Sequence, residues 1–199
     1  GPQSPTAFRA GILTQREQNL NLDFNKPLEL GFLAETANLA FGAERRVETY
    51  KIEAGDPMSY QVGPGAVAGL PSGSNGFPGY SSAQAGSWDQ TSYAGYVDLD
   101  LAWTESFSTN VAIRHEDFSE FGSTTDGKIA IRYEVSPQLA FRAAASTGFR
   151  APTPGQLNST RTSQGLDTTT LQLFTAGRLS PLDPVAAFFG AKPLKPETS

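Results

Sequence analysis

Apolar and polar positions alternate along most of this chain, and the alternation predicts strands. Tyr93, Gly95, Val97, Leu99, Leu101 and Trp103 share one side of the segment Tyr93 to Trp103. Ala94, Tyr96, Asp98, Asp100 and Ala102 share the other. Successive side chains of a strand point to opposite faces, so the segment has one apolar wall and one wall carrying carboxylates. An aromatic closes the apolar wall at each end. At roughly 3.3 Å per residue and a tilt of about 45°, the segment rises roughly 23 Å.

The same pattern recurs. Leu20, Leu22, Phe24 and Leu28 alternate with Asn21, Asp23 and Asn25. Leu39, Phe41, Ala43 and Val47 oppose Gly42, Glu44, Arg46, Glu48 and Tyr50. Val111 and Ile113 oppose Arg114 and Glu116; Ile129, Ile131, Tyr133 and Val135 oppose Lys128, Arg132 and Glu134. Leu139, Phe141, Ala143 and Ala145 oppose Arg142, Ser146 and Arg150. Six strands are predicted. Short links fall near 31–37, 104–109 and 136–137, and longer ones near 54–91, 118–126 and 151–194. Strict alternation of short and long links is the habit of an up-and-down membrane barrel.

The predicted class is therefore all-β: an antiparallel up-and-down meander whose apolar faces meet lipid and whose charged faces line an interior. The alternative is a soluble β-sandwich, a binding or surface-interaction domain, which writes the same alternation. A sandwich has no reason to alternate its loop lengths. A solvated face would also carry Lys, Glu and Thr in place of the Ala, Gly and Tyr mixed with charges here.

Composition narrows the function classes. The chain has 199 residues, 38% hydrophobic and 18% charged, with a formal net charge of −5. With no basic run, nucleic acid is not an expected partner. There is no cysteine and one histidine, His115, so thiolate chemistry is excluded and an imidazole metal site is not expected. No run of apolar residues is long enough for a transmembrane helix. No cofactor and no enzymatic activity are expected.

Three segments carry a family resemblance. Leu39-Ala-Phe-Gly-Ala-Glu-Arg-Arg-Val-Glu48 resembles a strand of TonB-dependent outer-membrane receptors. Gly148, Phe149, Arg150, Ala151 and Pro152 are similar to that family's GFRAP segment, and Lys195, Pro196 and Glu197 to its LKPE segment. The resemblance implies that residues 20–199 are part of a 22-stranded transmembrane barrel with long extracellular loops near 54–91 and 151–194. Residues 1–19 would be a leading loop or strand end, with the plug domain absent. It further implies TonB-coupled import of a scarce nutrient (ferric siderophore, cobalamin or oligosaccharide) across the bacterial outer membrane. The implied partners are outer-membrane lipid, the rest of the barrel, its plug, the TonB complex acting through that plug, and a small nutrient ligand. The family usually has an aromatic where Arg45 stands. Either Arg45 lies near the outer rim, where its long side chain can reach the headgroups, or the register of the strand slips at that point. His115 and Asp117 are expected above the membrane.

Two sets of residues are candidates for function. Glu44, Arg46, Glu48, Asp98, Asp100, Arg114, Glu116, Arg132, Glu134 and Arg142 fall on the charged faces. Opposite charges on neighbouring strands pair at about 0.2–1 kcal/mol each, so a salt-bridge lattice is the first expectation and direct ligand contact the second. Tyr60, Phe77, Tyr80, Trp88 and Phe174 lie in the long loops, where aromatics either pack locally or form ligand platforms. Asp98 and Asp100 are too few ligands for a divalent cation. Gly63-Pro-Gly65 and Gly73-Ser-Asn-Gly76 lack the strand-to-helix setting of a phosphate loop and are expected to be flexible loop.

Overall fold

The computed structural model describes residues 5–65, 70, 73, 77–167, 169, 170 and 173–199, with only the backbone at 165, 166, 173 and 175. Ser74 to Gly76 of the second glycine segment lie outside the described residues. Six strands form one antiparallel meander in chain order: β1 (Gly11–Leu28), β2 (Ala37–Ala54), β3 (Gly86–Thr104), β4 (Phe107–Phe118), β5 (Gly122–Ser136) and β6 (Leu139–Ser146). Two short ladders follow. β7 (Phe149–Arg150) pairs with β10 (Glu197–Thr198), and β8 (Arg161–Leu166) pairs with β9 (Leu173–Arg178). Two helical turns, α1 (Pro154–Asn158) and α2 (Pro184–Phe188), complete the elements used below.

Contacts group the chain into two compact units. The wall unit holds Glu17–Val47, Gln90–Pro152 and Lys195–Ser199; the loop unit holds Gly1–Arg16, Glu48–Asp89 and Thr153–Leu194.

In the wall unit the register aligns the apolar rows. Leu99 faces Val111, Val111 faces Ile129 and Ile129 faces Ala145 across four strands. These rows are the open side of the sheet: Val97, Ile113 and Ile129 are 44%, 53% and 52% exposed, while Glu116 is 8% exposed. Along β2, Phe41, Ala43 and Arg45 are exposed, and Gly42, Glu44 and Arg46 are half-buried. A water-soluble sheet does the reverse. Near the 105–106 turn, Phe107 faces Tyr133 and Tyr133 faces Phe141, beside Trp103. This is the aromatic girdle expected where lipid meets water.

The link expected to be long at 118–126 is a turn of three residues, 119–121, closed where Phe118 pairs with Gly122. Gly122 has φ +73°, a left-handed conformation that glycine adopts without strain. The strict alternation of link lengths therefore breaks at this point. The physical reason is that Ser123, Thr124, Thr125 and Asp126 have no apolar face, yet their backbone completes the ladder opposite Glu116 and Arg114. β1 likewise starts at Gly11, ahead of the apolar alternation at Leu20. β6 stops at Ser146, so the predicted last strand divides into β6 and β7.

The loop unit has its own internal order. Ser59 is fully buried; its Oγ donates to the Asp56 carbonyl at 2.7 Å, and its carbonyl accepts from the Gly79 N–H at 2.8 Å. A Cβ at Gly79 would lie 2.0 Å from Ser59 Oγ, so glycine is required for that approach. Thr153 and Gln156 cap α1 reciprocally: the Gln156 N–H donates to Thr153 Oγ1 at 3.2 Å, and the Thr153 N–H donates to Gln156 Oε1 at 2.9 Å.

Candidate functional site

The inner face of the wall unit carries a connected polar network centred on Glu116. Glu116 Oε2 accepts from Arg114 Nη2 at 3.0 Å and from Arg114 Nε at 3.2 Å. Its Oε1 accepts from Ser92 Oγ at 2.7 Å and lies 3.7 Å from Arg46 Nη2. Arg114 Nη2 also reaches Glu44 Oε2 at 2.9 Å, so one guanidinium ties β4 to β2 across the intervening β3. This works because Glu44, Arg46, Arg114 and Glu116 all fall on the same strand parity. A carboxylate this buried is tolerable only when charged groups and a hydroxyl satisfy its oxygens.

The other charged-face residues are arranged differently. Asp98 and Asp100 both accept from the Asn110 amide, at 2.6 and 2.8 Å, in place of a cation. Arg132 pairs with Glu134 on its own strand and stands directly opposite Arg142. Glu48 makes no ion pair among the described residues. Asp100, Asn110, Lys128, Arg132 and Arg142 line an open cavity of about 660 Å³ on this face. Among the described residues, no three His, Asp or Glu side chains gather in a way that could hold a metal ion.

The two motif segments meet each other. Arg150 pairs with Glu197 and Phe149 with Thr198, and Gly148 and Ser199 exchange backbone bonds of 3.0 and 2.9 Å. Phe149 packs against Phe118 at 5.3 Å between ring centroids. Ala151 is half-buried and Pro152 buried, whereas Lys195 is exposed and Pro196 half-buried. The motifs thus build a local junction of backbone pairing and packing.

In the loop unit, Tyr60 and Trp88 line a cavity of about 470 Å³, and Trp88 stacks on Tyr50 at 6.1 Å. Phe77 and Tyr80 meet edge to face at 5.7 Å, and the Arg161 guanidinium sits 5.3 Å over the Phe77 ring. Burial pushes the Tyr80 phenol above its ordinary value, with Tyr50 adding and Arg161 opposing, so the hydroxyl stays protonated at neutral pH. Phe174 lies on β9, exposed, and does not line the cavity.

The cavity also holds residues that the alternation gave no means of finding. Arg161 and Arg178 both line it and face each other directly across the β8–β9 ladder. Like charges in directly opposed positions repel. Thr160, on the same lining, has a buried Oγ1 without a partner. A paired cation site beside an unsatisfied hydroxyl, with aromatic walls at Tyr60 and Trp88, is chemically suited to an anionic ligand with an apolar or planar body.

Comparison with known proteins decides the family. The model described as TonB dependent receptor-like, beta-barrel, matches residues 2–199. The chain belongs to that family. No curated protein matches the chain. Among solved structures it is similar to the siderophore receptor PirA from Acinetobacter baumannii, at 17% identity and TM-score 0.57. That match covers 94% of this chain and 24% of PirA. It is also similar to a mutant of the ferric enterobactin receptor PfeA from Pseudomonas aeruginosa, at 15% identity and TM-score 0.54. There the match covers 76% of this chain and 20% of PfeA. These likenesses establish the fold: the TonB-dependent receptor barrel wall, seen here as a six-stranded meander. The chain spans about a fifth to a quarter of those receptors. The family consists of receptors and transporters, not enzymes.

Proposed function

We propose that this chain is wall, inner lining and outer loops of an outer-membrane importer of a ferric siderophore, driven by the TonB complex acting through a plug domain. The observation that carries the reading is the inverted exposure of the wall unit. Apolar rows stand open while Glu116, Arg114, Arg46 and Glu44 satisfy one another on the opposite face. Hydrocarbon accepts the first face, and a polar, enclosed interior accepts the second. The inner-face network serves as the lattice that holds the wall and meets the plug.

The ligand meets the loop unit. Tyr60 and Trp88 supply aromatic walls, Arg161 and Arg178 supply the charge, and the Phe77 ring, itself packed on Tyr80, supports Arg161. The siderophore reading draws support from the paired cations and from the two solved relatives, a siderophore receptor and a ferric enterobactin receptor. The test has two parts, both on the intact parent protein. It should fractionate with the outer membrane and leave it only with detergent, and its deletion should abolish uptake of a radio-iron-loaded siderophore under iron limitation. Recovery from a buffer-soluble pool would remove the wall reading. Unchanged uptake of every siderophore tried would remove the cargo.

A further inference from the structure

We propose that the outward face of β2–β4 is a binding site for a phosphorylated membrane lipid, its phosphate held at Arg45 and its acyl chain laid in a groove at Gly95. The proposal rests on the reading of the apolar face as lipid-facing, and goes beyond it by assigning one lipid to one place.

Arg45 is the anomaly that points there. It is exposed on the apolar side of β2, between Ala43 and Val47. Its Nε lies 3.4 Å from Tyr93 Oη, and its guanidinium sits 6.0 Å from that ring centroid. Among the described residues no carboxylate lies within ion-pair distance of it. A cation facing hydrocarbon is costly, and phosphate is the partner whose geometry a guanidinium matches with two parallel hydrogen bonds. Tyr93 holds the guanidinium from the side and leaves its remaining donors to a ligand.

A second observation lies next to it. Two positions along the same row, Gly95 leaves a notch flanked by Phe41 and Leu39 on β2, Val97 on β3, and Ile113 and His115 on β4. Its volume is about 420 Å³ and its surface is almost wholly apolar. The fold does not demand glycine here: a Cβ would meet only the Gly42 carbonyl, at 3.8 Å. The absent side chain therefore opens a groove without serving the backbone. His115 stands directly opposite Gly95, lines the groove and places its Nδ1 2.8 Å from Thr125 Oγ1. Asp117 stands opposite Tyr93 on the same face, a carboxylate that opposes an anion there. Cation, hydroxyl and groove together fit a headgroup phosphate with its chain attached. Free phosphate would use only half of the site.

The experiment is native mass spectrometry of the intact parent barrel in mild detergent. The probes are phosphatidylglycerol, rough lipopolysaccharide and, as a phosphate-free control, diacylglycerol. The parent should retain one molecule of a phosphorylated probe and no diacylglycerol. Arg45→Gln should lower retention about tenfold, the effect expected of removing one charge-assisted hydrogen bond, and Arg45→Lys should lower it less. Gly95→Leu, whose side chain would occupy the groove, should lower it similarly, and Asp117→Asn should raise it. Arg45→Gln removes a charge from a lipid-facing row, so it should insert at least as well as the parent. Retention of neither phosphorylated probe, equal retention of diacylglycerol, or unchanged retention in Arg45→Gln would overturn the proposal. A parent that needs detergent yet retains no lipid refutes this site alone; a parent soluble without detergent refutes the wall reading beneath it.

Discussion

The Tyr96 hydroxyl donates to the Asp23 carboxylate at 2.7 Å across the whole width of β2, and the residue beneath the ring is Gly42. A Cβ at Gly42 would lie 2.7 Å from Tyr96 Cε1 and 2.6 Å from the Leu22 carbonyl. The glycine of the Ala-Phe-Gly-Ala-Glu segment is thus the place where an aromatic from one neighbouring strand crosses to the other. Tyr96→Phe removes one hydrogen bond and should cost about 0.5–1.5 kcal/mol. Gly42→Val displaces the ring and should cost about 1–3 kcal/mol, as overpacking does. Thermal unfolding of the intact parent, followed by heat-modifiable gel migration, checks both. Equal melting of parent and Gly42→Val would show that the crossing contributes nothing.

Glu116 should behave as the hub of its network. Truncating it leaves half-buried Arg46 without an ion partner among the described residues and the buried Ser92 hydroxyl without its acceptor. The cost should be about 1–3 kcal/mol, as for a buried polar group left unsatisfied. Paired with Arg114→Met in a double-mutant cycle, the coupling should be about 0.5–3 kcal/mol, because the two groups touch. An additive pair would mean that their hydrogen bonds hold no energy.

Leu99→Arg and Asp98→Asn test the two faces at adjacent positions. Arg on the lipid-facing row costs about 2–4 kcal/mol near the midplane, so Leu99→Arg should cripple insertion of the parent. Asp98→Asn should be mild, since an amide oxygen still accepts from Asn110. The reverse order of effects would mean the faces are inside out.

The opposed arginines of the loop unit invite a different outcome. Arg161→Gln and Arg178→Gln each relieve a like-charge repulsion, so the melting temperature should hold or rise. Affinity for an anionic ferric siderophore should nevertheless fall about tenfold or more for each charge-assisted hydrogen bond removed. A drop in stability with unchanged affinity would assign the pair a structural role.

Asp167 offers a pH test outside the strands. The backbone N–H groups of Thr169 and Thr170 donate to its Oδ1 at 2.8 and 3.2 Å and hold its carboxyl below the usual carboxylate range. A depressed folded value means that the turn is favoured above the unfolded value and loses that support as pH falls through the folded one. Amide chemical shifts of Thr169 and Thr170 in a loop-labelled parent should move in that acidic window, and Asp167→Asn should remove the pH dependence.

Much of the wall could be read from alternation because one face meets hydrocarbon. Val97, Leu99, Val111, Ile129 and their partners had to be apolar at every second position, and that constraint writes itself into the chain. Where strands run past the apolar band, the constraint lapses. Ser123 to Asp126 and the start of β1 are strand without any apolar row, so the turn at 119–121 and the strand start at Gly11 left no period to detect. The charged faces were legible as faces but not as pairs. Parity placed Glu44, Arg114 and Glu116 together, while register and side-chain reach chose Arg114 to span β3 and gave Asp98 and Asp100 to Asn110.

The motif segments and the loop cavity show the same division. Gly148 to Pro152 and Lys195 to Glu197 were conspicuous by resemblance; that they pair with each other is a fact of backbone hydrogen bonding between distant residues. Arg161 and Arg178 carried no signal at all, because their opposition arises only when β8 and β9 fold back on one another. The amino-acid order by itself determined which side of each strand meets which solvent, since solvent acts on one residue at a time. The tertiary structure decided which charges meet, because an ion pair needs two distant positions brought within a few ångströms, and no single position records that.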